Sequence, residues 1–162
     1  MKEKTLKDIL DYIRNRPILN KWVVGLGKVS TLFVYVYYPL FLGLVYLIKK
    51  EEDIRYILVP LISFVILSII RKILNAPRPY EKYDIIPLYN KTTKGCSFPS
   101  RHTFSAFVIA FTISVFNPLL SIPVFIMGVI LAISRVLCGV HFLKDVIVGA
   151  IFALICGIIG FI

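Results

Sequence analysis

Long apolar runs, separated by short polar breaks, dominate the chain from residue 29 onward. A helix needs about 20 apolar residues to cross the hydrocarbon core of a bilayer. Runs close to that length cover residues 29–48, 56–70, 99–116, 119–133 and 146–162. The pattern predicts an all-α, polytopic membrane helix bundle with about five transmembrane helices.

The first 28 residues follow a different pattern, in which apolar and charged positions alternate at helical spacing. The apolar positions are Leu6, Ile9, Leu10 and Ile13. This is typical of an amphipathic helix on a membrane surface, with an ordinary solvated helix as the alternative, and it is expected to end near Pro17. No apolar run with a cleavage site follows, so a secretory signal peptide is not expected. We divide the chain into an interfacial segment, 1–28, and a single transmembrane domain, 29–162.

Composition supports a membrane protein. The 162 residues are 58% hydrophobic with a mean hydropathy of +0.84, above the apolar share of ordinary soluble domains, and the net charge is nevertheless +10. The three cysteines form no disulfide framework. Cys156 lies in an apolar run. Cys96 and Cys138 fall on the same predicted membrane side, so they are either a disulfide pair or free thiols.

Counting crossings assigns the polar segments to two sides of the membrane. The N-terminal segment, the long loop 75–98 and the segment 134–145 share one side. The charged turn 49–53, the tight turn at Asn117 and Pro118 and the C-terminus share the other. A loop as long as 75–98 is more often functional than idle. We therefore expect the chemistry to lie on the first side.

Three clusters of ionisable and hydroxyl side chains lie at span ends on that side. They are Arg71 with Arg78; Ser100, Arg101 and His102; and Ser134, Arg135, His141 and Asp145. Taken singly, an arginine at a span end more often contacts lipid headgroups, and a lone histidine is more often structural. Together, ionisable groups at membrane depth predict a function. No spacing of Cys, His or carboxylate residues resembles a metal site, so we expect neither a metal nor a cofactor.

The chemistry of these side chains suits a reaction at a phosphate group. His141 and Asp145 are four residues apart and would share a helix face, where the carboxylate could fix the imidazole tautomer and leave one nitrogen free to attack. Ser100 is expected to cap a helix beginning at Arg101, whose free N–H groups favour a phosphate oxygen. His102 could protonate the leaving oxygen. The arginines could neutralise the charge that spreads over a phosphoryl group.

These residues resemble the three-part signature of the type-2 phosphatidic acid phosphatase superfamily, which is related to vanadium haloperoxidases. The third part is Ser-Arg, five residues, His, three residues, Asp. The chain matches it in full with Ser134, Arg135, His141 and Asp145. Three ordered motifs at compatible separations, spread over residues 71–145, make a chance match very improbable.

The other two parts of the signature each carry one departure. Residues 99–102 read Pro-Ser-Arg-His where the superfamily usually has Pro-Ser-Gly-His, so Arg101 replaces a glycine. The first part is Lys, six residues, Arg-Pro. Here Arg71 stands at the lysine position, six residues before Arg78-Pro79, which keeps the charge but changes reach and geometry.

The resemblance implies a role for each matched residue. His141 would be the nucleophile that forms a phosphohistidine, Asp145 its orienting group and His102 the general acid. The implied phosphate-binding residues are Arg71, Arg78, Ser100 and Arg135, to which we add Arg101 as a further candidate.

The expected activity is that of a metal-independent membrane lipid phosphatase acting on a phosphate monoester or diphosphate. Phosphatidic acid, phosphatidylglycerol phosphate, undecaprenyl diphosphate and lipid A phosphate are the candidate substrates. The expected partners are this phosphorylated lipid and the bilayer, not a nucleic acid, and the oligomeric state is left open. A lipid phosphotransferase and a non-catalytic lipid-binding protein are the alternatives. Tyr80, Tyr83 and Tyr89 in the loop 75–98 form either a selectivity element or an aromatic belt at the interface.

Two arguments about orientation disagree. The first 28 residues carry seven Lys and Arg on the motif side, against three near the loop of the opposite side. The positive-inside rule would therefore place the motifs in the cytoplasm. The superfamily places its site outside the cytoplasm, and we follow the resemblance. It implies an integral protein of the cell's inner (cytoplasmic) membrane with an extracytoplasmic active site.

Overall fold

The computed structural model describes residues 3–49 and 53–162, and within them it contains helices and no strand. The helices are α1 Glu3–Arg14, α2 Pro17–Lys49, α3 Arg55–Leu74, α4 Pro79–Lys82, α5 Arg101–Phe116, α6 Pro118–Leu137 and α7 Leu143–Phe161. The all-helical class predicted from the sequence is confirmed. Residues 50–52 of the predicted charged turn lie outside the described residues.

Four of these helices, α2, α3, α6 and α7, are long and apolar enough to cross a membrane, and α5 is a shorter apolar helix. Their outer surfaces stay apolar. Leu40, Leu119 and Ile159 are 67%, 74% and 74% exposed. Large exposed apolar surfaces of this kind require a non-aqueous environment. The chain is therefore an integral membrane protein.

Helix α5 is the centre of the bundle, with α2, α3, α6 and α7 packed around it. It is apolar on every side, as expected for a helix surrounded by protein. Phe104 and Ile113 are fully buried, and Val108 is 1% exposed. The position of α5 matters because its first residues belong to the second motif.

Helix α1 has the predicted amphipathic pattern, and its apolar face is buried inside the protein. Leu6, Leu10 and Ile13 are 0%, 2% and 4% exposed. A Cβ placed on Gly139 would lie 3.2 Å from Leu10, and Gly139 has a φ of +72°, a conformation that favours glycine. Helix α1 therefore covers the connection between α6 and α7.

The predicted end of the first helix near Pro17 is confirmed, and α2 begins at that same proline. Proline is favourable at the first position of a helix because its missing N–H would have no helical partner there. The helix of the first span therefore starts well before residue 29, where the continuous apolar run begins.

Backbone hydrogen bonds fasten the long loop across the motif end of the bundle. The Leu88 N–H donates to Cys138 O at 3.1 Å, and the Ser97 N–H donates to Ala76 O at 2.8 Å. The Arg14 side chain donates to a carbonyl of the same loop at 2.6 Å. Cys96, Cys138 and Cys156 are all free thiols. The loop is thus held by hydrogen bonds and packing, not by the disulfide considered above.

Candidate active site

His141 lies in the connection between α6 and α7, not on a helix. Helix α6 ends at Leu137 and α7 begins at Leu143, so the prediction that His141 and Asp145 share a helix face is wrong. The two side chains still meet, with His141 Nδ1 3.5 Å from Asp145 Oδ2. Asp145 sits in the first turn of α7, where its Oδ2 accepts the Phe142 N–H at 3.0 Å. A carboxylate in this position is favourable at a helix N-terminus.

Ser97 connects the carboxylate to the imidazole. Its hydroxyl donates to Asp145 Oδ2 at 2.6 Å, and its Oγ lies 3.3 Å from His141 Nδ1. Because a serine hydroxyl has a single hydrogen, which is committed to Asp145, the His141 contact requires Nδ1–H as the donor. That tautomer leaves the lone pair on Nε2. All three side chains are buried.

Burial also sets the charge of the nucleophile candidate. Desolvation lowers the pKa of His141 to about 4, the hydrogen bond with Asp145 opposes this shift, and the nearby Arg78 guanidinium reinforces it. The imidazole is therefore neutral at neutral pH. A neutral imidazole with a free Nε2 is the form that can act as a nucleophile.

Arg71, at the end of α3, holds the segment that leads into the second motif. Its guanidinium donates to the carbonyl oxygens of Ser97, at 3.1 Å, and of Cys96 and Pro99. The side chain is 4% exposed. Arg71 thus joins the first motif to the second through backbone carbonyls.

Arg78 connects the first motif to the third. Its Nε donates to Gly95 O at 3.0 Å, and a terminal nitrogen lies 3.5 Å from Val140 O, next to His141. The Glu81 carboxylate accepts the backbone N–H groups of Arg78, at 2.8 Å, and Gly95, at 2.6 Å. This places the Arg78 guanidinium beside the loop that carries the imidazole.

Ser100 is the N-cap residue of α5, as predicted, although its side chain forms no capping hydrogen bond. Its Oγ accepts a hydrogen bond from the Thr103 hydroxyl at 3.1 Å, and its N–H donates to Asp145 O at 2.9 Å. Gly149 makes this approach possible, because a Cβ there would lie 2.8 Å from Ser100 O. The start of α5 is therefore packed directly on the first turns of α7.

Arg135 approaches from the last turn of α6. It donates to Thr31 Oγ1 of α2 at 3.2 Å, and its guanidinium carbon lies 4.9 Å from the centre of the Tyr89 ring. The Tyr89 hydroxyl donates to Val24 O at 3.2 Å. The Arg135 Nε is buried and has no hydrogen-bond partner within the described residues.

His102 and Arg101 occupy the first turn of α5. His102 lies within electrostatic range of His141 and Arg135, but it makes no hydrogen bond to either within the part of the chain that the structure describes. Arg101 is exposed, and its guanidinium carbon lies 5.9 Å from the centre of the Phe64 ring. Together with Arg71 and other residues, it lines a cavity of about 390 Å³.

Residues 53–162, more than half of the chain, match the PAP2 superfamily. The chain belongs to this superfamily. The type-2 phosphatidic acid phosphatase resemblance inferred from three short motifs is thereby confirmed.

Individual PAP2 relatives agree with the match. The chain is 30% identical over 133 residues to a protein named bacitracin transport permease protein BcrC from Bacillus licheniformis. That alignment covers 78% of this chain and 66% of the relative, just under two thirds of its length.

Two crystal structures resemble the whole fold. Aquifex aeolicus LpxE is 29% identical, with a TM-score of 0.75, covering 97% of this chain and 92% of that one. A PAP2-type phosphatidylglycerolphosphate phosphatase from Bacillus subtilis is 26% identical, with a TM-score of 0.69, covering 98% and 81%.

Several side chains at this candidate site were not predicted from the sequence. Ser97 contacts both His141 and Asp145, and Thr31 contacts Arg135 from a helix with no motif. Lys91 lines the same cavity as Arg101. Ser97 stands two residues before the second motif begins at Pro99, so its polarity was a signal. No spacing pointed to the other two.

Each of the three tyrosines of the loop 75–98 contacts other residues of the protein. Tyr89 packs on Arg135 as described, the Tyr80 hydroxyl donates to Thr93 O, and the Tyr83 ring packs edge-on against Phe142 at 5.8 Å. Two of these rings therefore adjoin motif residues or their immediate neighbours.

Proposed function

We propose that this PAP2 protein is a membrane lipid phosphatase that hydrolyses a phosphate monoester or diphosphate of a lipid headgroup through a phosphohistidine. The observation that carries the proposal is the buried His141 imidazole, whose Nδ1 faces Ser97 and Asp145. That arrangement leaves Nε2 as the nitrogen that attacks phosphorus.

The reaction has two steps. In the first, His141 Nε2 bonds to phosphorus while the bond from phosphorus to the lipid oxygen breaks, and protonated His102 gives its proton to that oxygen. The phosphorylated imidazole keeps its Nδ1 proton, so it is cationic and is stabilised by the Asp145 carboxylate. In the second step, water attacks phosphorus and gives a proton to His102. The N–P bond then breaks, releasing phosphate and neutral His141.

Guanidinium groups supply the charge that stabilises the phosphoryl group. Arg78 lies beside the loop of His141, and Arg135 has a buried N–H with no partner among the residues that the structure describes. Arg71, Arg101 and the N-terminus of α5 at Ser100 complete the proposed phosphate-binding set. Fixed cations and helix N–H groups perform the charge stabilisation that a metal ion performs in other phosphatases. The proposed reaction therefore needs no metal.

The substrate is proposed to be a phosphorylated membrane lipid. The motif residues cluster at helix ends, where headgroups meet the protein, and one similar crystal structure is that of a phosphatidylglycerolphosphate phosphatase. The four lipid classes named from the sequence all present a phosphate to such a site. A phosphotransferase would share the first step and differ only in the acceptor.

The proposed location is the inner (cytoplasmic) membrane, with the active site on the extracytoplasmic face. The transmembrane helices support the membrane assignment, and the face follows from the superfamily resemblance.

Phosphate release from the four lipid classes tests this function. Purified protein in detergent is expected to release phosphate from at least one class, and His141→Ala is expected to reduce the rate by at least about 10³-fold. Lys82→Ala, on an exposed side chain, is the matched control. Activity should survive EDTA and be inhibited by orthovanadate.

Each result has a contrary outcome. Unchanged turnover in His141→Ala would exclude the nucleophile assignment. Loss of activity in EDTA, restored by added metal, would exclude the metal-free reaction. Phosphate transferred to another lipid or alcohol, without release, would identify a phosphotransferase.

A further inference from the structure

Lys91 is a cation of the long loop that no motif includes. It is half-buried and lines the cavity of about 390 Å³ together with Arg71, Arg78 and Arg101. The sequence separates Lys91 from these arginines by at least ten positions, and only the folding of the loop over the bundle brings them together.

Cations dominate the electrostatic surroundings of Lys91 on the side of this cavity, whereas Glu81 and Asp84 line a second cavity that Lys91 also borders. The charged groups that act most strongly on its ammonium are the guanidinium groups of Arg78, Arg135, Arg101 and Arg71. No carboxylate pairs with Lys91 among residues 3–49 and 53–162. Burial and these neighbours lower the pKa of Lys91 to about 8. A half-buried ammonium among guanidinium groups, with no carboxylate in contact, is a position that an anionic ligand would stabilise.

Arg71, which stands at the lysine position of the first motif, is not sufficient by itself to bind an anion in this cavity. Three hydrogen bonds of the Arg71 guanidinium go to the carbonyl oxygens of Cys96, Ser97 and Pro99. A guanidinium fixed in this way contributes charge to the cavity but has few donors left for a ligand. Lys91, by contrast, has no hydrogen bond within the described residues, and its ammonium has three rotatable donors.

We propose that Lys91 is a phosphate-binding residue, whose ammonium donates to non-bridging oxygens of the substrate phosphate within the cavity shared with Arg71, Arg78 and Arg101. This inference rests on the proposed phosphatase function and adds to it a cation from outside the three motifs. Lys91 acts on binding more than on the chemical steps, because it contacts oxygens that stay on the phosphate throughout.

Kinetics of Lys91 variants test the proposal. Lys91→Met removes the charge and is expected to raise KM about tenfold with a much smaller change in kcat. Lys82→Met is the matched control, because Lys82 is an exposed lysine of the same loop region that does not line the cavity. Lys91→Arg keeps a charge and is expected to stay within a few-fold of the native KM at pH 7.

The pH dependence gives a readout that a structural role would not produce. The native ammonium loses its proton as the pH rises through about 8, so KM should rise between pH 7 and pH 9.5. In Lys91→Arg the guanidinium stays charged, so this rise should disappear. The comparison holds even if Lys91→Met does not fold. Identical pH profiles for the native protein and Lys91→Arg would overturn the proposal, as would equal KM values for Lys91→Met and Lys82→Met.

A second assay separates this inference from the phosphatase proposal. Inorganic phosphate should raise the thermal unfolding temperature of the native protein in detergent, and less so that of Lys91→Met. If no lipid is hydrolysed but stabilisation by phosphate still depends on Lys91, the phosphatase proposal fails and the anion site stands. If hydrolysis occurs and neither KM nor phosphate stabilisation depends on Lys91, only the present inference fails.

Discussion

At the scale of single residues, a hydroxyl group organises the proposed nucleophile. Asp145 Oδ2 is 2.6 Å from Ser97 Oγ but 3.5 Å from His141 Nδ1, and Ser97 Oγ is 3.3 Å from the same Nδ1, so each contact through serine is shorter than the direct one. Only one distribution of hydrogens satisfies both Ser97 contacts, and it places a proton on Nδ1. Ser97 is therefore a positioning residue that fixes the tautomer of His141.

Replacing this hydroxyl should impair catalysis more than binding. In Ser97→Ala, we expect kcat to fall about tenfold to a hundredfold with little change in KM, because one buried hydrogen bond in a charged network is lost. The measurement is lipid phosphate release. Ser121→Ala is the control, since its buried hydroxyl bonds to Pro118 O at the opposite end of the bundle.

The imidazole tautomer provides an independent check. The chain has two histidines, so ¹⁵N-histidine NMR of a His102→Gln background reports His141 alone. We expect a neutral Nδ1–H form at pH 7, and a mixture of tautomers once Ser97 is alanine. If Ser97→Ala changed neither the His141 tautomer in the His102→Gln background nor the kcat measured with His102 present, Ser97 would have no positioning role.

The sequence predicted which residues matter here better than how they interact. The motif spacing selected His141, Asp145 and Arg78, because side-chain chemistry and order are visible in the sequence. It could not reveal that Arg71 binds backbone carbonyls, since those carbonyls belong to a loop whose path depends on the whole fold. Lys91 was missed for the same reason.

At the scale of elements, the site depends on how closely α5 and α7 approach. The Ser100 N–H donates to Asp145 O, which places the free end of α5 against the turn that carries the carboxylate. Gly149 makes room for this approach. One packing contact therefore fixes the positions of both the α5 N-terminus and the Asp145 carboxylate.

A methyl group at this contact should separate the two helices. Gly149→Ala would place a carbon 2.8 Å from Ser100 O, a backbone atom that cannot move without shifting α5. We expect a loss of about 1–3 kcal/mol in stability and a lower kcat. Thermal unfolding in detergent and phosphate release measure the two effects.

Gly43→Ala in α2 is the matched control for that substitution. Its added methyl meets nothing within 4 Å, and alanine is the better helix former, so stability and activity should be unchanged or slightly higher. Equal behaviour of the two variants would mean that the close approach at Gly149 is not required.

Hydrophobic patterning predicted the helices well and their ends poorly. The apolar run that begins at residue 29 hides the fact that α2 starts at Pro17, because the first turns of α2 keep Lys21 and Lys28 exposed while Val23 packs inside the protein. In the same way, the four-residue spacing of His141 and Asp145 looked helical. The Gly139 conformation and the start of α7 at Leu143 instead place His141 in a loop.

At the scale of the whole molecule, the polar chemistry is concentrated at one end of an apolar bundle. Helix α1 and the loop 75–98 cover that end, and the cavity lined by Lys91 and the arginines lies beneath the loop. Helix α1 itself has three basic and three acidic residues, but residues 1–28 as a whole carry seven Lys and Arg against three acidic residues, an excess that would attract an anionic headgroup. This excess of positive charge therefore has two candidate roles, substrate attraction and an orientation signal.

The orientation of the protein in the membrane distinguishes between these two roles of the N-terminal charge, the topology signal and the attraction of substrate. If the charge bias alone set the topology, the motif end would face the cytoplasm, since its N-terminal segment carries seven Lys and Arg against three near the opposite loop. We expect it to face outward, in accordance with the superfamily resemblance. In that case, the positive charge must serve substrate attraction and binding.

Labelling of single cysteines with a membrane-impermeant maleimide decides between the two orientations. In a background with Cys96, Cys138 and Cys156 replaced by serine, Lys82→Cys reports the motif end and Arg55→Cys the opposite end, both at exposed positions. We expect intact cells to label Lys82→Cys, and Arg55→Cys to react only after permeabilisation. The reverse pattern would place the site in the cytoplasm, where it would act on lipids of the inner leaflet. Phosphate release by both variants must first show that the cysteine-free protein is folded, because only then does accessibility report the native topology.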